Sequence, residues 1–328
     1  MEYKDRSFKT WDEQITKLKT DHNITSVTAE SATFALKNYS YYTLVNGYQR
    51  ALEKESNTEL FLDGTSIEQL GQIQLIESHI ASDLLHAIIV IEKKIKTIFQ
   101  YEISRNIGTN QSDYLNSQNY VSRGRSDRES VLNNIREVAN LKHNVSKSLI
   151  KHRENGNVPP WILINDVTLG QFIHWYDISP EIVKKSVVAE FNFNFENDDR
   201  NLEFFKMSLM FLLDFRNGLA HGDVINKIKP FTKIHWWVWK KFYDFTVLTH
   251  EEYGQQNLGQ NDLYALILIL GIFLPTSEGV ILRNSLITYL TTLNDNFMPL
   301  SEAPMRRLLG GIPSNVLLRL YTIYPDIN

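Results

Sequence analysis

Between Ser66 and Arg105 an apolar residue recurs every three or four positions: Leu70, Ile73, Ile76, Ile80, Leu84, Ala87, Ile88, Ile91, Ile95 and Ile98. That spacing lays a continuous apolar stripe along one face of a long helix and does not fit the two-residue period of a strand. Glu77, Asp83, Glu92, Lys93, Lys94 and Lys96 are assigned to the opposite, polar face, and Gly108 with the polar run after it ends the pattern. Proline is scarce, nine in 328 residues, and absent from the interiors of the long periodic stretches, so they read as uninterrupted helices.

The rest of the chain reads the same way. Helices are expected over 27–37, where Thr28 or Ser26 caps and Glu30 sits in the first turn, and over 126–151, 161–175 and 202–215. Trp236, Trp239 and Tyr243 form a stripe that reads as core or dimer interface. The aromatics of 39–48 pin a small N-terminal module to the main body. Leu263 to Leu274 is apolar and closed by Pro275; it is too short to span a bilayer and reads as a buried helix. The expected fold class is all-α: an N-terminal module (1–62), a main helical domain (63–250) and a C-terminal helical extension (251–328), with the polar stretch 251–260 as linker.

No cysteine is present, which excludes disulfides, thiolate zinc sites and a cysteine nucleophile. With a polar N-terminus, MEYKDRSFKTWDEQ, this fits a cytoplasmic protein that is not inserted in a membrane. The formal net charge is −4, which gives no support to a general polyanion coat. Locally the balance reverses: from Glu92 to Arg153 there are twelve Lys/Arg and six Asp/Glu, or +6. A solvated helical face is the simpler meaning of such a run; a phosphate-attracting surface is the functional one, with Lys93, Lys96, Arg123, Arg125 and Arg128 as candidate RNA contacts.

Phosphate-binding glycine loops, zinc-protease motifs and nucleophile elbows are absent. His79, Asp83 and His86 have a spacing that could chelate a metal, but a polar helix face explains them, and no metal or cofactor is assigned. His174 and His235 sit beside tryptophans and read as core-edge residues. One segment stands apart: Leu212-Leu-Asp-Phe-Arg216-Asn217-Gly218-Leu219-Ala220-His221-Gly222-Asp223. Cleaving RNA without a metal needs a group that exchanges a proton near neutral pH, which suits histidine. It also needs a fixed cation for charge on the phosphoryl oxygens, which suits arginine. On an ideal helix Arg216 and His221 lie about 140° apart and share no face; Gly218 and Gly222 are expected to end or bend the helix there. The bland reading is an arginine at a helix end and a histidine in a turn.

Arg216 to His221 matches the Arg-x4-His pattern of HEPN domains. Ile89-Val-Ile-Glu92-Lys-Lys-Ile95-Lys resembles the Ile-Glu-x-x-Ile-Arg/Lys helix of AbiD/AbiF-like abortive-infection (Abi-like) proteins, and Asp83-Leu-Leu-His86 stands where they carry Asp-x-x-Leu-Arg. Pro160-Trp161 with Thr168-Leu-Gly170, Asn46-Gly47-Tyr48, and Asn226 five residues after His221 resemble further segments in the family's order, covering about 25–230. The resemblance implies a HEPN-type helical bundle and an antiphage defence protein or toxin. It would cleave RNA without metal as a homodimer that brings two motifs together. It implies His221 as general acid or base, Arg216 on the scissile phosphate, Asn217 on the phosphate or positioning Arg216, and Glu92 as a further participant. Gly222-Asp223-Val224 departs from the family's Ala-His-His or Ala-His-Asn, so that either a partner to His221 is missing or Asp223 orients its imidazole. Some relatives sit beside a structured noncoding RNA that neutralises them in a toxin–antitoxin pair, and the +6 region would be its dock. Two other readings stay open: a non-catalytic RNA-binding module, and a phage-sensing interaction protein using Trp236, Trp239 and 255–328.

Overall fold

The computed structural model describes residues 7–124, 126–141 and 144–327. Arg125, one of the expected RNA contacts, lies outside them. Helices α1 (Trp11–His22), α2 (Ala29–Tyr39) and α3 (Tyr41–Leu52) precede α4 (Ile67–Asn106). Then come α5 (Gln111–Tyr114), α6 (Arg128–Asn140), α7 (Lys147–Glu154), α8 (Pro160–Leu163), α9 (Leu169–Ile178), α10 (Glu181–Ala189) and α11 (Asp198–His221). The C-terminal part holds α12 (Trp236–Phe242), α13 (His250–Gln255), α14 (Leu263–Phe273), α15 (Thr276–Asn296), α16 (Ala303–Leu308) and α17 (Val316–Ile323). No β-strand occurs among the described residues, and the fold is all-α.

The helix α4 is the spine. Ser66 caps it by accepting from the Gln69 amide at 3.1 Å. By length and composition alone α4 could cross a bilayer, with a mean hydropathy of 1.3 over its most apolar window. Here α2, α3, α8, α10, α11 and α15 pack along it. Its stripe is buried from Ile67 to Ile103, with Ile76 and Ile98 only half-buried. Its polar residues His79, Asp83 and His86 face α15. Ser285 donates to Asp83, the Tyr289 ring stacks on His79 at 5.4 Å, and Glu278 lies 3.9 Å from His86. These residues form a docking seam.

Three expectations are corrected. The helix expected over 126–151 is broken into α6 and α7. Asn144 has φ of 60°, and Ser146 caps α7 while both its backbone amide and hydroxyl donate to Asp166 (2.7 and 2.8 Å). The stretch 251–260 is packed rather than a linker. It contains α13, whose Glu252 accepts from Arg319 of α17 at 2.6 Å, and Gly259, whose carbonyl accepts from buried Trp239 at 2.7 Å. That burial also removes Trp239 from any sensing surface.

Close approach at Gly271 joins α14 to α17. A Cβ there would meet Ile323 Cγ2 at 2.6 Å, Tyr243 Oη at 2.7 Å and the Ile323 carbonyl at 3.2 Å. Gly271→Ala is therefore expected to destabilise the fold by about 1–3 kcal/mol, despite alanine's better helix propensity, because backbone and ring must both move. The urea midpoint measures it; an unchanged midpoint would contradict this packing.

Candidate active site

Arg216 and His221 are both carried by α11, which runs six residues past its expected end at Phe215. Gly218 does not end it. This buried glycine instead admits Ile228, whose Cγ1 would lie 2.8 Å from an added Cβ. Gly222 ends the helix at φ of 75°, with its amide donating to Leu219 and the Asp223 amide to Gly218 (3.2 and 3.0 Å). This is a Schellman stop, in which a left-handed glycine satisfies the last carbonyls. The helix is unbroken between the two residues, so their side chains leave it about 140° apart and about 7.5 Å along its axis.

Arg216 is half-buried. Its Nη1 donates to Asn217 Oδ1 at 3.4 Å, and its buried Nε has no partner among the described residues. No carboxylate among the described residues pairs with the guanidinium. Asn217, His221 and Asp223 are exposed. Asp223 makes no hydrogen bond to His221 among the described residues, so the expected carboxylate support of the imidazole is not formed in the single chain.

The turn after His221 is held by groups from three distant segments. Ile225 donates its amide to Glu77 Oε1 at 2.5 Å, and Tyr48 of α3 donates its hydroxyl to Glu77 Oε2 at 2.5 Å. Val224 packs on Gly47, where a Cβ would sit 2.8 Å from Val224 Cγ2. Asn226 donates to the Leu308 carbonyl at 3.0 Å. The Asn46-Gly47-Tyr48 and Asn226 signatures therefore meet at one place. Beside the turn lie two grooves, of about 240 Å³ against α4 and about 270 Å³ against α3, both reached by Gly222 and Asp223.

Glu77, assigned above to the polar face of α4, is only 3 % exposed. Burial raises its pKa to about 7 against the opposing pull of the Tyr48 hydroxyl and Ile225 amide. The bonding pattern agrees. The single Tyr48 proton faces both Glu77 Oε2 and Gln74 Oε1, the latter at 2.6 Å. When Glu77 is ionised Tyr48 donates to it; when Glu77 is protonated its own hydroxyl donates to Tyr48, which then donates to Gln74. The sequence did carry a signal for this burial: Ile73, Glu77, Ile80, Leu84, Ile88, Ile91 and Ile95 form an unbroken three- and four-residue register.

The remaining expected residues lie elsewhere. Glu92 pairs with Lys96 at 2.6 Å, and Lys96 also donates to the Val167 carbonyl at 2.6 Å. This half-buried pair ties α4 to the turn before α9, and neither residue hydrogen-bonds to Arg216 or His221. Arg128 donates to the Tyr120 carbonyl at 3.0 Å. Lys93 and Arg123 are exposed. No group of three or more potential metal ligands occurs among the described residues.

Comparison with known proteins adds the family. The model of the Abi-like protein family matches residues 34–226. That interval contains α4, Glu77, the Arg216–His221 segment and the Asn226 latch. No curated protein and no solved structure gives a match. With more than half of its length matched, the chain belongs to the Abi-like protein family.

Proposed function

We propose that this protein is an abortive-infection defence factor acting as a metal-independent HEPN-type endoribonuclease. Family membership suggests the abortive-infection role. The chemistry rests on Arg216 and His221, which stand at the end of α11 with no carboxylate partner on either among the described residues, next to a turn fixed by buried bonds. Arg216 binds the scissile phosphate and stabilises charge on its oxygens. His221 moves the proton on the attacking 2′-hydroxyl or the leaving 5′-oxygen. Their 140° divergence is met by a homodimer in which the arginine of one chain and the histidine of the other share a phosphate.

The test is cleavage of mixed cellular RNA by purified protein stripped of co-purified RNA, with and without EDTA. Cleavage indifferent to EDTA and lost in both Arg216→Ala and His221→Ala supports the reading. Cleavage that survives both substitutions, or RNA bound but never cut, sinks it, the latter in favour of a non-catalytic RNA-binding module.

A further inference from the structure

A groove of about 530 Å³ lies away from the Arg216–His221 turn, between α9, α10, the N-terminal half of α11 and the loop before α6. Lys184 of α10 lines it. This lysine is 7 % exposed, and its ammonium has no hydrogen-bond or ion-pair acceptor among the described residues. Burial and the charge of Arg123 hold its pKa below the ordinary lysine range. Arg123 and Lys206 share the lining, with the His174 ring beside them. The one carboxylate at this inner cluster, Asp177, is taken by Lys206 at 2.7 Å. Glu181 is engaged by Lys185 at 2.9 Å, and Glu203, at the α11 rim, by Arg200 at 2.9 Å. Asp199 is the remaining acid at the mouth. Most of the Lys184 side chain is covered, and the acids that act on its charge, Asp177 and Glu181, are already engaged by Lys206 and Lys185. Lys184, Arg123 and Lys206 thus share one groove, an arrangement that an anion completes.

The groove also has a direction. Lys206 and Met210 reach it from α11. With Asn217 and His221, they fall within about 60° on one exposed face of that helix. From Lys206 to His221 is about 22 Å along the axis, a gap bridged by several nucleotides of an extended strand.

We propose that this groove is a phosphate subsite for single-stranded RNA lying along α11, where Lys184 and Arg123 hold a phosphodiester several nucleotides from the bond at His221. The inference rests on the ribonuclease reading above. Ile173 and Met210 supply apolar surface for a sugar or base beside that phosphate.

The experiment measures binding of a labelled single-stranded oligoribonucleotide, long enough to span both places, to the His221→Ala protein over a salt series. Lys184→Met and Arg123→Gln are each added to that background. Methionine keeps the covered apolar stem of Lys184 and removes the charge at its tip, so Lys184→Met is expected to be about as heat-stable as its parent. It is expected to weaken RNA binding roughly tenfold and to lower the salt slope by about 0.7, the loss of one phosphate contact on a single strand. Arg123→Gln, at an exposed position, carries the same test should Lys184→Met fold poorly. RNA binding unchanged in both variants, with cleavage by the parent enzyme intact, overturns the subsite but not the ribonuclease reading. If no RNA binds and cleavage is also absent, the ribonuclease reading fails. Inorganic phosphate and adenosine monophosphate are then titrated; binding of either that Lys184→Met abolishes would replace the RNA strand with a small phosphate ligand, and no binding would leave no anion site.

Discussion

His221→Ala is expected to slow RNA cleavage by roughly 10²–10⁴-fold, the usual worth of a positioned proton-transfer group. Arg216→Ala is expected to slow it by roughly 10²–10³-fold, as for loss of one preorganised charge on the reacting centre. Neither should unfold the protein, because His221 is exposed and Arg216 only half-buried with one long bond to Asn217. The decisive measurement mixes the two inactive proteins under conditions of subunit exchange. If the arginine of one chain works with the histidine of the other, each heterodimer regains one intact site. Statistical mixing then restores about a quarter of the wild-type rate. If the pair works within a chain, no site in the mixture is intact and activity stays absent. The unbroken path of α11 through Gly218 makes recovery the expected result.

Glu77→Ala carries the largest expected loss of stability. It strips partners from the Ile225 amide and the Tyr48 hydroxyl and opens space under the turn that follows His221. Unsatisfied buried donors and the removed side chain together amount to about 2–4 kcal/mol. Glu77→Gln keeps the shape and removes the titration. Because the folded-state pKa is raised from 4.5 to about 7, folding favours the protonated acid. Its contribution is greatest below the unfolded pKa, falls as pH rises from about 4.5 to about 7, and is flat above that. Wild type should therefore lose about 3 kcal/mol across that window from this group alone. Urea unfolding of Glu77→Gln should show a shallower pH dependence over the same range; identical curves for the two proteins would contradict a buried titrating acid here.

How much was legible in the sequence follows from how each residue is used. The α4 stripe was legible because its period runs unbroken for many turns. The Arg216–His221 segment stood out as a candidate because its residue types suit phosphate and proton chemistry. Glu77 was not, because a carboxylate on a stripe reads as the polar side even when its register places it inside. Gly218 was read as a break when it is a point of contact, since a glycine's sequence does not tell turning from close approach. The helix α1 buries little beyond Leu18 and His22, too few residues to show a period, although the Thr10–Glu13 capping box spells its start. The start of α7 at Lys147 and the packing of 251–260 depend on partners such as Asp166 and Arg319, which lie too far along the chain for local pattern to reveal.

The seam between α4 and α15 also sets an order in time. Ser285 meets Asp83 from 202 positions further along the chain, and Asn226 finds its acceptor at Leu308, 82 residues later. At ordinary ribosomal speeds of about 5–20 residues per second, the stretch from Asp83 to Ser285 takes about 10–40 s to synthesise. During that interval α4 is made but lacks its C-terminal cover, and the Arg216–His221 segment emerges with Glu77 and Gly47 already made but before Asn226 has its acceptor at Leu308. A nascent chain thus carries the Arg216–His221 segment well before all of its supports exist, and the Asn226 latch closes only once Leu308 has been made.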